Sequence, residues 1–319
     1  MRIKQLLIAV GIGTMLAACS SDDTTQSLEK DRTIHINAGI SGSLVKTKAV
    51  ENDATLQNTQ FYERETAMFY FWKANTLESI LSVQDIGCTF FSGSFDFCGI
   101  VDGVVYPEDG TAVDVFAVYP FDYNNSTTGT SILSRDATTF FVSQDQSTDA
   151  GYRMSDLMYA FSAGNTIEND PVELTFNHCL TKIIVRLPDT EEFNNATVKM
   201  KNVQLDKTLD FSDRTKVTLS QPASPTKGEI TLGTYTTRYP LSAIVVPQTI
   251  NSGTTIFEIT LADATVYECK SGYSCYFEPN NVYTFNLTSQ AITSSNVTIN
   301  QWSHMDDDEN VTNEAIQKK

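Results

Sequence analysis

The sequence has few histidines and tryptophans and none of several common enzyme motifs, although motifs do not reveal a pair of catalytic carboxylates from distant strands. Its 319 residues include two tryptophans and three histidines, which are His35, His178 and His304. No HExxH, GxSxG, P-loop or GxGxxG motif occurs, and no two cysteines have the CxxC spacing of a zinc site. These absences exclude the enzyme classes that the motifs identify. We therefore expect neither an enzyme nor a metal or cofactor site.

Positive charge is also scarce. The chain has 22 lysines and arginines against 39 aspartates and glutamates, which gives a formal net charge of -17. A surface of this sign repels phosphate backbones, so nucleic acid is excluded as a partner. The acidic run Asp306–Glu309 lacks the glycine and the spaced ligands of a calcium loop, and we interpret it as a solvated segment.

A single histidine–cysteine pair has the residue types of nucleophilic catalysis. His178 and Cys179 are adjacent in an apolar segment. Because successive residues on a strand point to opposite faces, these two side chains cannot meet as base and nucleophile. We interpret His178 as a packed structural histidine and Cys179 as a buried strand residue.

The other cysteines leave two disulfides open. Besides Cys19 there are five cysteines, an odd number. Cys269 and Cys275 flank a turn-like segment, so a cross-hairpin bond is compatible with the sequence, and Cys88 and Cys98 are candidates for a second bond. The alternative for each pair is a free buried thiol, which is common in protein cores.

The longest apolar run lies at the N-terminus. Leu6–Leu16 follows Arg2 and Lys4 and is too short to span a bilayer. It ends in Leu16-Ala17-Ala18-Cys19, which resembles the bacterial lipobox, in which the cysteine becomes the first residue of the mature protein and carries lipid. The resemblance predicts a signal peptide over residues 1–18 and lipidation of Cys19, followed by a flexible tether up to residue 32.

Two acidic residues follow the predicted lipidation site. Asp22 and Asp23 resemble the surface-export signal of Bacteroidetes lipoproteins. The resemblance predicts a lipid-anchored protein on the outer face of the outer membrane. A polar tether that faces the periplasm is the alternative.

From Thr33 onward the dominant period of the sequence is two. Ile34, Ile36, Ala38 and Ile40 alternate with polar residues or glycine, as in a half-buried strand. Many short strand-like segments follow, separated by Pro, Gly, Asn and Asp, while helical periods are rare. We therefore predict an all-β fold with one sandwich over 33–168, a second over 169–302 and a polar tail over 303–319.

Several sequence blocks resemble the fimbrillin superfamily of Bacteroidales, the subunits and adhesins of type V pili. Each block is short, and the resemblance lies in their common order across residues 33 to 302. The blocks are Val115–Phe121, Asp156–Ala160, Phe176–Ile183, Val246–Thr249, Phe277–Phe285 and Val297–Trp302. Asn280-Asn281 stands where relatives often carry glycine, and asparagine tolerates the left-handed turn conformation.

The resemblance implies two transthyretin-like β-sandwiches in tandem and a specific mode of assembly. Subunits arrive as lipoproteins, and in shaft subunits a protease removes the first strand together with its lipid. A donor strand from another subunit then fills the opened groove. On this chain the candidate removable strand carries Ile34, Ile36, Ala38 and Ile40. The implied partners are other fimbrial subunits, the outer membrane through the lipid, and a host or glycan ligand.

The candidate processing site lies in the segment after that strand. The resemblance places the cut at Lys48–Ala49, with Lys46, Arg32 and Arg64 as other basic positions. Relatives often carry arginine where this chain has Lys48, and the two residues are not interchangeable for an arginine-specific protease. An uncleaved subunit that keeps its lipid therefore stays an alternative.

The sequence predicts a fimbrial subunit, or an accessory tip or anchor adhesin. The segment after Trp302 has few apolar residues and no alternation, which makes it a poor donor strand and favours the accessory role. The alternative function is a surface lipoprotein that binds glycans without polymerising. Exposed aromatic rings would support that alternative, but Trp72 and Trp302 both lie in strand-like segments that favour core packing.

Overall fold

The computed structural model describes residues 31–41, 61, 63–81, 86–92, 94–97, 103–121, 138–236, 241–272, 274–287 and 296–301. Their regular secondary structure is almost entirely β-strand, which confirms the prediction of an all-β fold. The helical exceptions in these ranges are α1 (Asp149–Arg153) and a 3₁₀ turn at Glu191–Phe193. Within the same ranges, no helix combines the length and the apolarity needed to cross a bilayer.

The strands of the described residues are numbered in chain order. They are β1 (Ile36–Ile40), β2 (Thr66–Lys73), β3 (Ile86–Phe91), β4 (Ser94–Phe97), β5 (Val113–Tyr119), β6 (Thr138–Phe141), β7 (Met158–Asn165), β8 (Val172–His178), β9 (Thr181–Arg186), β10 (Thr197–Gln204), β11 (Asp206–Asp210), β12 (Thr218–Ser220), β13 (Lys227–Thr234), β14 (Leu241–Val245), β15 (Gln248–Ile250), β16 (Thr255–Thr260), β17 (Val266–Lys270), β18 (Cys275–Phe277), β19 (Asn281–Asn286) and β20 (Asn296–Gln301).

The largest sheet has seven strands in the order β1-β8-β7-β5-β2-β3-β4. Its neighbours pair antiparallel, except that β1 runs parallel to β8. The end strands β1 and β4 come close to each other, so the sheet curves towards closure. The first strand of the chain is therefore at the edge of this sheet and has β8 as its ladder partner.

The remaining strands form smaller sheets. Two of these have four strands, in the orders β13-β10-β16-β17 and β14-β9-β19-β20. A three-stranded sheet has the order β12-β11-β6, and β15 pairs with β18. Because β6 comes from the first half of the chain and β11 from the second, this small sheet connects the two halves.

The middle of the seven-stranded sheet is buried on both faces. In β2, Phe69 and Phe71 point into one hydrophobic core, whereas Met68, Tyr70 and Trp72 point into another, as the alternation of side chains along a strand requires. We call these the first core and the second core. The first core also contains the inward residues of β1 and β8, and the second core contains those of β9, β10, β16 and β19.

The predicted domain boundary does not coincide with a division between sheets. β8 follows the boundary at residues 168 and 169, yet it pairs with β1 and β7, and the chain leaves this sheet after His178. The polar segment Asn169-Asp170-Pro171, which motivated the boundary, is the turn between β7 and β8. The division into two tandem domains stays a prediction.

Candidate site around the first strand

The first strand places alternate side chains into the first core. Ile34, Ile36 and Ile40 are buried and Ala38 is half-buried, while the intervening positions are exposed. The parallel register sets Ile36 beside Val172 and continues in steps of one residue to the end of β1. The period-two pattern of the sequence thus becomes an inward apolar face and an outward polar face.

Backbone hydrogen bonds hold this segment on two different partners. At its start, Ile34 N donates to Val104 O (2.7 Å) and Tyr106 N donates to Arg32 O (2.8 Å). Farther along, Val172 N donates to His35 O (2.8 Å) and Ser41 N to Phe176 O (2.8 Å). The entry of the strand is therefore fixed by the 103–106 segment, and the strand proper is fixed by β8.

Asp170 binds the outward face of the strand at its start. Its Oδ1 accepts hydrogen bonds from the backbone N–H of His35 (2.9 Å) and from the hydroxyl of Tyr106 (3.1 Å). His35 Nδ1 lies 2.6 Å from Asp170 Oδ2, and the Asp170 side chain is only 17% exposed. Burial, together with the Asp170 charge, raises the pKa of Tyr106 well above its ordinary value, so this hydroxyl stays a proton donor.

Two further carboxylates contact the same strand. Asn37 Nδ2 donates to Glu173 Oε1 (3.0 Å) across the β1–β8 ladder. Arg32 Nη2 donates to Glu108 Oε1 (3.1 Å), and its Nη1 donates to the Tyr106 carbonyl (3.3 Å). We call Glu108, Asp170 and Glu173 the acidic lip. Each of its members receives a hydrogen bond or a close polar contact from the first strand or from the residue that leads into it.

Some of the predicted processing and lipidation sites lie within the described residues, and others lie outside them. Arg32 is described, and its side chain is held by the contacts above with 36% of its surface exposed. Cutting there would leave β1 attached to the rest of the chain. Lys46, Lys48 and Ala49 lie outside the described residues, as do Cys19, Asp22 and Asp23. These sites therefore stay predictions.

Cys269 and Cys275 are buried free thiols in this structure, so the cross-hairpin bond is not formed. They lie on β17 and β18, which belong to different sheets, and burial raises the pKa of each to about 11. Cys88 is buried on β3, and its candidate partner Cys98 lies outside the described residues.

The surroundings of His178 and Cys179 fit packed structural residues. His178 is buried and its Nδ1 lies 2.9 Å from Asp156 Oδ1. Burial, with a smaller contribution from Asp156, raises the pKa of the Cys179 thiol far above its ordinary value. A thiol with so high a pKa is not a nucleophile near neutral pH. Trp72 is likewise buried, so its ring is not a platform for a sugar, and Trp302 lies outside the described residues.

The residues of the acidic lip were not found from the sequence. Asp170 lies in the segment at which the sequence predicts a domain boundary, and Glu173 is an ordinary outward residue of an alternating strand. Their significance comes from the β1–β8 register, which joins positions far apart in the chain. The one feature of the sequence that indicates the acidic lip is the set of hydrogen-bond donors at Arg32, His35 and Asn37, because donors on a strand predict acceptors on its neighbours.

Comparison with known proteins agrees with this architecture. The model of the fimbrillin-like family matches residues 47–302. A structure of a putative cell adhesion protein from Bacteroides uniformis is 18% identical, with a TM-score of 0.61 over 86% of this chain and 100% of that chain. A second, from Bacteroides ovatus, is also 18% identical, with a TM-score of 0.60 over 85% and 98%. No curated protein matches significantly. The chain belongs to the fimbrillin-like family.

Proposed function

We propose that this protein is a fimbrial subunit or accessory adhesin that is exported as a lipoprotein and joins other subunits by exchange of its first strand. The observation that carries the proposal is the place of that strand. It lies at the edge of the seven-stranded sheet and fills the first core with Ile34, Ile36 and Ile40. An edge strand can leave without breaking the ladders between the other strands of its sheet.

The energetics explain why an empty groove would be filled again. Full burial of one isoleucine contributes about 1.5–3 kcal/mol, so three contribute a sum comparable to the stability of a small domain. Loss of β1 would also expose the N–H and C=O groups of β8 that now pair with it. A strand from a neighbouring subunit that restores both the apolar burial and the backbone hydrogen bonds would dissociate slowly.

Lipidation at Cys19 gives the unprocessed protein a place on the membrane. In this proposal the lipid and the first strand lie on the same side of the candidate cut at Lys48–Ala49. Cleavage would thus make β1 exchangeable, and the body of the protein would leave the membrane once another strand has replaced β1. A chain that is not cut would stay anchored, with β1 covalently in place.

Limited trypsin digestion tests the processing step. We expect a brief digest of the soluble mature chain to cut at Lys46 or Lys48 and to leave a compact product in which the peptide containing β1 stays bound and leaves only slowly under native conditions. The double variant Lys46→Gln/Lys48→Gln is the matched control and should not yield a fragment that begins at residue 47 or 49. If the wild-type segment resists trypsin while the fold is intact, processing by this route is contradicted.

A further inference from the structure

We infer that the acidic lip selects the strand that replaces β1 by charge. The occupant is an extended segment of another protein chain with apolar residues at alternate positions and with lysine, arginine, histidine, asparagine or glutamine at the outward positions that match His35 and Asn37. Aspartate and glutamate are rejected at those two positions. The inference rests on the proposed strand exchange and specifies which residue types the replacing strand carries.

The chemistry of the present occupant supports this selection. At all three places where a side chain of the lip meets the first strand, the strand supplies a donor: the Arg32 guanidinium, the His35 backbone and ring, and the Asn37 amide. The acceptors are carboxylates in every case. A strand with a carboxylate at one of these positions would lose the side-chain hydrogen bond and add a like charge within a few ångströms, although the backbone N–H at position 35 would still donate to Asp170.

The selection is not equally strict along the groove. The Asp170 side chain, which faces His35, is 17% exposed, whereas the Glu108 side chain, which faces Arg32, is 87% exposed. Water therefore screens the repulsion of a carboxylate less at the His35 position than at the Arg32 position. Replacement of His35 by a carboxylate residue also removes the ring contact with Asp170. We therefore expect the position of His35 to discriminate most strongly and that of Arg32 least.

Gly39 offers a control position on the same strand. It lies outward, opposite Thr175, and a Cβ built there meets no atom within 4 Å. Its ladder partner carries no charge, so a carboxylate at this position changes the net charge of the strand without facing the lip. Glutamate and glutamine should be accepted equally there.

The first experiment measures exchange between chains. The trypsin-cut protein is mixed with fluorescein-labelled peptides of residues 31–41, and incorporation is followed by size-exclusion chromatography. Asn37→Glu should bind about 5- to 10-fold more weakly than Asn37→Gln, and the ratio for His35→Glu against His35→Gln should be larger. Gly39→Glu and Gly39→Gln should bind equally. In 1 M NaCl the Asn37 ratio should approach one.

The second experiment uses the intact chain and does not depend on replacement of β1 by another strand. Hydrogen exchange of the β1 amides reports how often the strand opens in place. Opening should be about 5- to 10-fold more frequent in Asn37→Glu than in Asn37→Gln, and equal in the two Gly39 variants. Glu173→Gln in the Asn37→Glu background should restore the lower frequency.

The two experiments separate the possible failures. If no peptide is incorporated, not even the unaltered sequence, the proposed strand exchange is contradicted, and hydrogen exchange still decides whether the lip discriminates by charge. If Asn37→Glu and Asn37→Gln behave alike in both experiments, selection by the acidic lip is overturned even if exchange occurs.

Discussion

At the scale of single residues, one buried charge connects the two halves of the chain. Asp114 on β5 is almost fully buried and accepts hydrogen bonds from the backbone N–H groups of Asn75 and Gly164 (2.9 and 2.8 Å). Arg214, from the loop between β11 and β12, donates to the same carboxylate and reaches the Asn75 side chain and the Thr76 carbonyl. The guanidinium therefore compensates a charge that burial would otherwise make costly.

We expect Arg214→Gln to lower the free energy of unfolding by about 3 kcal/mol, because it leaves the Asp114 carboxylate buried with fewer donors. Urea denaturation measures the change. The exposed Arg186 on β9 provides the matched control, and Arg186→Gln should cost less than about 0.5 kcal/mol. Equal effects of the two variants would contradict the role assigned to Arg214.

Glu229 gives the molecule a defined acid sensitivity. Hydrogen bonds from Lys199 and Lys201 lower the pKa of this carboxyl from 4.5 to about 2. Because the pKa is lower in the folded state, the stabilisation is fully present above pH 4.5 and is lost as the pH falls through 2. In Glu229→Gln the urea midpoint should change less with pH between these two values. Lys199→Gln/Lys201→Gln should reduce this pH dependence in the same window. If the triple variant reduced the pH dependence further than either change alone, the assignment would be contradicted.

At the scale of elements, Gly39 makes β1 less stable than a strand with a side chain at this position would be. Gly39 lies outside the left-handed region and has open space around a built Cβ. A residue with a side chain loses less backbone entropy on folding, so Gly39→Ala should stabilise the protein by about 0.5–1 kcal/mol and slow hydrogen exchange of the β1 amides.

The control for Gly39 is a second glycine with open space but a different backbone. Gly164 has a φ of +67°, which L-residues rarely adopt, and a Cβ there also meets no atom within 4 Å. Gly164→Ala should therefore destabilise the protein by about 1 kcal/mol. If both substitutions act in the same direction, the backbone argument for β1 is contradicted.

The elements also show what could be predicted from the sequence. The alternation at Ile34–Ile40 is sufficient to predict a half-buried strand, whereas the burial of β2 on both faces is visible only in the structure. Taken alone, the sequence of Ser155–Phe161 favours one helical turn or a loop, whereas in the structure β7 begins at Met158 and pairs with β5 and β8. Its run of Ala, Ser and Gly has weak strand propensity, and tertiary pairing on both sides overrides it.

The candidate site could be predicted only in part. The apolar face of β1 follows from its own sequence, but the acidic lip depends on which strands become neighbours. Asp170 and Tyr106 are 64 positions apart in the chain, and no local pattern brings them together. Without an observed register, Asn169-Asp170-Pro171 had only the properties of a turn.

At the scale of the whole molecule, the two cores share one sheet. β2 and β5 contribute their opposite faces to the first and second cores. Loss of either core would expose a face of these strands, so thermal unfolding of the mature chain should be a single calorimetric transition. Two resolved transitions would instead support independent tandem domains.

The predicted lipid anchor would determine where the whole protein is found. Cys19→Ala should shift the protein from the membrane fraction to the soluble fraction of the cells that produce it, since the apolar N-terminal run is too short to span the bilayer. Cys275→Ala removes a buried thiol far from the predicted signal and is the matched control. Unchanged fractionation of Cys19→Ala would show that the lipobox interpretation is wrong.

The central claim is that β1 can leave its groove and be replaced, and a reversible lock tests it most directly. Gly39 and Thr175 are register partners on the outward face, so Gly39→Cys/Thr175→Cys should bond β1 to β8. Incorporation of an isotope-labelled peptide of residues 31–41 into the trypsin-cut protein is measured by native mass spectrometry. We expect one peptide per molecule without the lock, none with it, and recovery after reduction. Equal incorporation with and without the lock, or none in either form, would contradict the account.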